Sequence, residues 1–269
     1  LATLHPDYIQ LHPRNDNRDP IHRVTQHYQV DIARACDKLR TMEDIIFPPS
    51  ALLTKLQEVN QSVSTCINTY VKNEKALSEI TIASIIKTMC PVGISLFIGN
   101  SMPIRDMDTV VDSCKANYIG VNRGVSGIDG NIATAAGMAW ASDTPTLALV
   151  GDTTALHDLN SLALLHKTGA PVILIIINNG GGGIFSFLPI AQYKDLLGAY
   201  FTNAHSLHFE KAASLFDLPY YCAGTATELE QHLQTAINDK RHAVIEVIVN
   251  RDDNIHAHQA LADRCVQES

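Results

Sequence analysis

Between residues 146 and 185 the chain alternates apolar runs with helix-like spacing, and that alternation organises what lies on either side. An apolar run ends at Gly151-Asp152, a segment with helical spacing carries His157 and His166, and a second apolar run over 172–177 ends at Asn178-Asn179 and four glycines. Two short buried strands around a helix predict a βαβ unit, whose right-handed crossover puts both strand ends on one edge of a parallel sheet. Asp152 and Asn179 are therefore expected side by side in space. The same periodicities predict strands over 94–98, 118–121, 220–222 and 243–249, and helices over 78–89, 131–141, 208–216 and 227–237. Residues 194–204 read as a loop with some helix, and Glu246, a charge inside an apolar strand, is expected to face a partner. Strands alternating with helices give the fold class: α/β, with a doubly wound and mostly parallel sheet.

The beginning of the chain is organised differently. One strand over 8–11, a turn-rich stretch over 11–20 and a short helix over 30–39 cannot bury a core, and Pro48-Pro49 breaks the chain before a polar helix running from Ala51 towards Lys75. This pattern predicts an incomplete domain over 1–45, a connector over 46–77 and a main domain over 78–269. The chain opens at Leu1 in a loop-like stretch without an initiator methionine, which predicts that its natural start lies upstream.

Composition adjusts this picture at its margins. A chain of 269 residues that is 46% hydrophobic and 18% charged is globular, with ample material for a core. Its net charge of -8 disfavours nonspecific binding to nucleic acid or anionic membranes. The cysteines show no CxxC spacing and read as reduced packing residues, and the apolar runs are of strand length, too short to span a bilayer. No HExxH, GxSxG, complete P-loop or GxGxxG occurs, so metalloprotease, hydrolase, NTPase and dinucleotide readings lose support. His256 and His258 read as part of a solvated tail.

Candidate chemistry gathers at the carboxyl ends of the strands, where open α/β sheets bind ligands. Mg²⁺ prefers oxygen ligands and is usually held by one or two carboxylates plus substrate phosphates, so Asp152 and the Asn179 amide oxygen leave room for a diphosphate. Glycines 180–183 let the backbone approach it, and the Thr153-Thr154 pair opens the next helix, where hydroxyls and free amides favour an anion. The strand over 94–98 ends at Gly99-Asn100-Ser101 before a helix carrying Arg105, and the strand over 118–121 ends at Asn122-Arg123-Gly124. Two arginines at neighbouring strand ends suit a substrate with more than one carboxylate. Ser101 as a helix cap and Arg123 in a salt bridge to Asp129 or Asp106 are the plain alternatives.

Gly151-Asp152 at one strand end, followed one βα unit later by Asn178-Asn179, resembles the cofactor motif of thiamine-diphosphate enzymes. Four further stretches sharpen the resemblance: GNSMPIRDMD from Gly99 to Asp108, NRGVSGIDG from Asn122 to Gly130, HDLNSLALL from His157 to Leu165, and GGGIFSFLP from Gly181 to Pro189. Together, over residues 79–249, they resemble the MenD family, the 2-succinyl-5-enolpyruvyl-6-hydroxy-3-cyclohexene-1-carboxylate synthases. Thr154 stands where a serine is often found in that family, and Gly180 stands in place of a third amide.

The resemblance implies a thiamine-diphosphate-binding fold preceded, over 1–45, by the tail of a Rossmann-like central domain. It implies Mg²⁺ or Mn²⁺ on Asp152, Asn179 and the carbonyl of Gly181. It implies thiamine diphosphate against Asn100, Gly127, Ile128, Gly151, Asp152, Thr153, Thr154, Asn179, Gly181, Gly182, Ile184 and Phe185, with Ile128 as the apolar wedge that bends the cofactor. Ser101, Arg105 and Arg123 are assigned to the substrate pocket. The implied reaction decarboxylates 2-oxoglutarate and adds the succinyl carbanion equivalent to isochorismate, a step of menaquinone and phylloquinone biosynthesis. The glutamate that activates the cofactor belongs to a pyrimidine-binding domain that nothing in the chain resembles, so no catalytic side chain is assigned here and the chain alone is expected to be inactive. A homodimer or homotetramer is implied, in the cytoplasm for a bacterial source, or in a plastid for the plant and algal members that the SFLPIA stretch resembles. Another thiamine-diphosphate carboligase or decarboxylase of simpler 2-oxo acids, or a noncatalytic remnant, are the alternatives. Paired arginines favour dicarboxylates, and intact Asp152 and Asn179 argue against a remnant.

Overall fold

The computed structural model describes residues 7–16, 19, 21–42, 50–74 and 76–268. Leu1 and the Pro48-Pro49 break lie outside them. In the first part of the chain, strands β1 (Ile9–His12) and β2 (Gln26–Gln29) pair in parallel with Ile9 opposite Gln26. Helix α1 (Ile32–Arg40) follows, capped by Asp31, whose carboxylate accepts the Arg34 N–H at 2.9 Å. The sequence pattern does not predict β2: QHYQ has no apolar alternation, and only its pairing with β1 makes it a strand. None of these three elements contains a buried residue, as expected for a segment too small to close a core.

The polar helix α2 (Ala51–Asn73) follows, and the chain divides within it into two compact units, Leu1–Gln57 and Glu58–Ser269. Beyond it the order is α3 (Glu79–Met89), β3 (Ser95–Ile98), α4 (Met102–Val110), β4 (Ile119–Val121), α5 (Asn131–Ser142), β5 (Thr146–Gly151) and α6 (Asp152–His157). A 3₁₀ run at Leu159–Lys167 leads to β6 (Val172–Asn178). After 3₁₀ turns at Gly183–Phe187 and Pro189–Gln192 come α7 (Lys194–Leu196), a π turn at Leu197–Phe201, and α8 (Glu210–Leu215). The chain then forms β7 (Tyr220–Ala223), α9 (Ala226–Asp239), β8 (Ala243–Ile248) and α10 (Arg251–Glu268).

Two expectations are corrected. The segment between β5 and β6 is not one helix. It stops at His157 because the next residue, Asp158, uses its carboxylate on the Ala133 N–H at 2.9 Å and the Ser161 hydroxyl at 2.5 Å, tying the turn to α5. The end of the chain is not a solvated tail either: α10 buries Asn254, Ala257 and Leu261, and the Ala257 carbonyl accepts the Tyr70 hydroxyl of α2 at 3.1 Å. His256 does lie exposed, but His258 is half-buried.

All six strands of the second unit are parallel, in the order β4-β3-β5-β6-β8-β7. Alternate strand residues feed two separate cores. Leu96, Ile98, Leu149, Ile175 and Ile245 pack with α3, α4, α9 and α10, while Phe97, Ala148, Val150, Leu174 and Val244 pack with α5, the 3₁₀ run and α8. Burial on both faces explains why the strands read as continuous apolar runs. The chain leaves β3 towards one edge, at β4, and returns to β5 on the other side of β3. That reversal opens a crevice between the carboxyl ends of β3 and β5.

The one charge in β8 has the partner its position demands. Glu246, fully buried, accepts Asn178 Nδ2 at 2.6 Å, the Phe209 N–H at 2.8 Å and the Tyr220 hydroxyl at 2.7 Å, with His208 Nδ1 at 3.1 Å. Asn178 in turn donates to the Leu207 carbonyl at 2.9 Å and accepts the Gly180 N–H at 3.1 Å, so both ends of the long segment after β6 are pinned to the sheet. Burial, followed by the bond to Glu246, pushes the Tyr220 hydroxyl far up. Glu246→Leu leaves the Phe209 N–H and the Tyr220 hydroxyl without this acceptor. The expected cost is about 3–5 kcal/mol, read from urea unfolding as a lower midpoint at an unchanged slope.

Candidate functional site

Asp152 sits where β5 ends and is almost fully buried, a costly place for a carboxylate unless donors surround it. They do. Its Oδ1 accepts the Thr153 N–H at 2.5 Å and the Thr153 hydroxyl at 3.1 Å; its Oδ2 accepts the Asn179 N–H at 3.1 Å and the Gly181 N–H at 2.9 Å. The register of β5 against β6, Gly151 opposite Ile177, makes this possible by bringing the two strand ends level. His205 adds its Nε2 at 3.5 Å from Oδ2. The carboxylate thus holds the glycine loop in place, and turning the Thr153 hydroxyl away frees Oδ1 for a further ligand.

The loop needs its glycines. Gly180 and Gly181 have φ of 76° and 127°, conformations that L side chains rarely adopt, and a Cβ on Gly181 would overlap the Thr202 carbonyl oxygen. A Cβ on Gly183 would come within 2.6 Å of Asn179 Nδ2. The amide of Asn179 is held by that same nitrogen, which donates to Glu79 Oε1 at 2.8 Å, while its Oδ1 is buried with no hydrogen-bond partner. A buried carbonyl oxygen without a donor is costly in an isolated fold and suits a cation ligand. The Gly181 carbonyl accepts the Gly183 N–H at 2.8 Å and keeps its second lone pair. Among the described residues no three His, Cys, Asp or Glu side chains converge as a metal set. One carboxylate, one amide oxygen and one carbonyl therefore fit a cation whose other ligands arrive with a diphosphate.

Behind Asn179 lies a line of buried polar groups that the sequence analysis does not single out. Glu79, at the start of α3, reads locally as an acidic residue in a first helical turn. Its N–H donates to Asn254 Oδ1 at 2.9 Å, and its carboxyl lies against that of Asp106 in α4. Asp106 Oδ1 meets His258 Nε2 at 2.8 Å, and His258 Nδ1 reaches the Asn254 carbonyl at 2.8 Å. Burial and then the neighbouring Asp106 push the Glu79 carboxyl up to about 8. Burial would lower the His258 imidazole, but the bond and charge of Asp106 outweigh it and raise it.

At the end of β3, Ser101 holds φ 73°, ψ -132° and makes no side-chain cap bond, so the cap alternative does not hold. Such backbone strain in a non-glycine residue is characteristic of functional sites. Arg105 folds back from the first turn of α4 to donate to the Ser101 carbonyl at 2.6 Å. Arg123 donates to Asn100 Oδ1 at 3.0 Å, and Asn100 Nδ2 donates to the carbonyls of Gly127 at 2.6 Å and Asn122 at 2.9 Å. Both arginines are exposed and bracket one turn, and Arg123 pairs with neither Asp129 nor Asp106.

A cavity of about 160 Å³ joins these pieces. Of the residues assigned from the sequence, Ser101, Ile128, Gly151, Asp152, Thr153, Thr154, Asn179, Gly181, Gly182, Ile184 and Phe185 line it. Asn100, Gly127, Arg105 and Arg123 do not; the first two support the loop that presents Ile128. Glu79, Met102, Pro103, Ile177, Phe201 and Asn203 also line it without having been assigned. Met102 and Pro103 belong to the quoted GNSMPIRDMD stretch, but nothing local marks Glu79, Phe201 or Asn203.

The raised Glu79 carboxyl has a consequence for stability. A folded-state value above that of the unfolded chain means the folded state keeps a proton that the unfolded state releases, so stability falls as pH rises from about 4.5 to about 8. In EDTA, wild type is expected to show this decline in its urea unfolding free energy, and Glu79→Gln to lose most of it. Equal declines in the two proteins would rule out Glu79 as the source.

Comparison with known proteins agrees with this geometry. Residues 109–247 match the family model described as thiamine pyrophosphate enzyme, C-terminal TPP binding domain. The chain is 36% identical over 267 residues to a 2-succinyl-5-enolpyruvyl-6-hydroxy-3-cyclohexene-1-carboxylate synthase of Chlorobium phaeovibrioides, covering 98% of this chain and 45% of that protein. It is 40% identical over 256 residues to the synthase of the same name from Syntrophus aciditrophicus, covering 93% of this chain and 44% of that one. The chain therefore spans less than half the length of these relatives. Matched over half its residues by the family model, the chain belongs to the thiamine pyrophosphate enzymes and carries their C-terminal TPP-binding domain.

Proposed function

We propose that the β3/β5 crevice binds thiamine diphosphate through Mg²⁺ or Mn²⁺, and that the complete protein joins 2-oxoglutarate to isochorismate with loss of CO₂. The observation that carries the metal is the unpartnered Oδ1 of Asn179 beside Asp152. Asp152, Asn179 and the Gly181 carbonyl would hold the cation, with the remaining positions left to diphosphate and water. Bound there, the cofactor supplies the carbanion chemistry. Ile128, Ile184 and Phe185 give it an apolar wall that excludes water. Arg105 and Arg123 bind the substrate carboxylates, their guanidinium groups already turned towards the Gly99-Asn100-Ser101 turn. Two dicarboxylic substrates give both arginines a purpose that a simple 2-oxo acid does not. The relatives' printed names support this reaction over other uses of the cofactor.

Residues 1–45 are read as the end of a central domain, 46–77 as a connector and 78–269 as the cofactor domain. A pyrimidine-binding domain, on the same or another subunit of a homo-oligomer, supplies the activating glutamate. Val125, 98% exposed three residues from Ile128, supports a covering partner at this end of the fold. No described helix is long and apolar enough to cross a membrane; for a bacterial source the cytoplasm is the compartment proposed.

Calorimetric titration with thiamine diphosphate, with and without Mg²⁺, tests the anchoring. Binding is expected to require Mg²⁺ and to fall in Asp152→Ala by more than the roughly 10–100-fold typical of losing a group behind a metal ligand. Absence of binding both alone and with a relative's pyrimidine-binding domain added would overturn the reading. In the assembled enzyme, Arg105→Met and Arg123→Met are each expected to lower kcat/KM about 10–100-fold, matching 1.5–3 kcal/mol for a charged hydrogen bond. Unchanged kcat/KM for both substrates would remove that arginine from the pocket.

A further inference from the structure

An asparagine amide offers a cation either an attractive oxygen or a repulsive NH₂, and a half turn about its last bond exchanges the two. Nothing in Asp152 or the glycine loop chooses between them for Asn179: Asp152 takes the backbone N–H of Asn179, not its side chain. The choice falls to whatever holds Nδ2. That group is Glu79 Oε1, at 2.8 Å and one hundred residues away in sequence.

Glu79 is itself fixed at every point. Ser78 caps α3, its hydroxyl accepting the Thr81 N–H while the Thr81 hydroxyl accepts the Ser78 N–H at 2.7 Å. The Glu79 N–H is held by Asn254. Glu79 Oε2 and Asp106 Oδ2 are both buried without a hydrogen-bond partner, and the two carboxyls are neighbours. Asp106 is anchored on its far side by His258, whose ring packs edge-on against Phe187 at 4.9 Å between centroids. A core built for packing alone would fill this space with apolar side chains. Instead, polar groups from α3, α4 and α10 lead to one amide, and the other end of that amide is the orphaned oxygen.

We propose that Glu79, held by Asp106 and His258, is the positioning residue that turns the Asn179 amide oxygen towards the bound cation. The inference rests on the metal reading above. Glu79 also lines the cavity, and in this proposal it acts on the cation through Asn179.

Mn²⁺ binding, followed by loss of the free-ion EPR signal in the presence of thiamine diphosphate, tests it on wild type, Glu79→Gln and Glu79→Met, under whichever condition, alone or with the pyrimidine-binding domain, wild type binds. Glutamine keeps an oxygen for Asn179 Nδ2 and an NH₂ for Asp106. Methionine keeps the volume and neither hydrogen bond. Glu79→Met is expected to weaken Mn²⁺ about 10–100-fold, as losses behind a metal ligand do, while Glu79→Gln stays close to wild type. Wild-type affinity in Glu79→Met, or equal losses in both variants, would overturn the inference and leave the metal reading standing. Absence of Mn²⁺ binding by wild type under both conditions overturns both. A measurement on wild type needs no variant to fold: the Asn179 side-chain NH₂ protons are expected to exchange with solvent far more slowly than those of exposed asparagines, and exchange at the exposed rate also overturns the inference.

Discussion

The carboxylate of Asp152 is the point on which the site depends. With one oxygen it takes the N–H groups of Asn179 and Gly181, and with the other it takes both donors of Thr153. A buried charge with four donors fixes the geometry of whatever supplies them, because releasing any one exposes the cost of burying the rest. Here those donors come from the ends of two adjacent strands. The loop after β6 is therefore bound to the end of β5 before any ligand arrives, and the glycines at 180 and 181 are what allow the backbone to follow it there.

Buried acids recur along the same edge of the sheet, each serving a neighbouring loop. Glu246, inside β8, pins both ends of the segment that returns from the glycine loop to α8. Glu79 and Asp106 occupy the opposite side of the crevice, where α3 and α4 meet α10. Apolar strands give the sheet its stability, but they are indifferent to how a loop beyond their ends is oriented. Hydrogen bonds to buried carboxylates are directional, and they supply that orientation.

The rim of the crevice is built differently from its floor. Arg105 and Arg123 are exposed and bonded to neutral acceptors, the Ser101 carbonyl and the Asn100 amide, so their charge is uncompensated by any carboxylate of the described chain. The strained Ser101 backbone sits between them. Ile128, Ile184 and Phe185 line the cavity together with Asp152 and Asn179, while the two arginines stay outside it.

The sequence by itself determined the parallel sheet, the pairing of Asp152 with Asn179, and Ile128, Ile184 and Phe185 of the apolar lining, because strand period, glycine runs and strand-end residues are local signals; Met102, Pro103, Ile177 and Phe201 it left unassigned. It missed β2, which has no alternation of its own, and the break at Asp158, which only contact with α5 makes intelligible. It took α10 for a solvated tail because a polar helix shows no face until the surface it covers is known. The polar line from His258 to Asn179 was invisible for the same reason on a larger scale. Its bonds join residues 152 and 100 positions apart, and each member alone looks like an ordinary surface acid or histidine. Tertiary structure decided that these groups are buried and bonded to one another, because burial and long-range hydrogen bonding are properties of packed elements and leave no period in the chain.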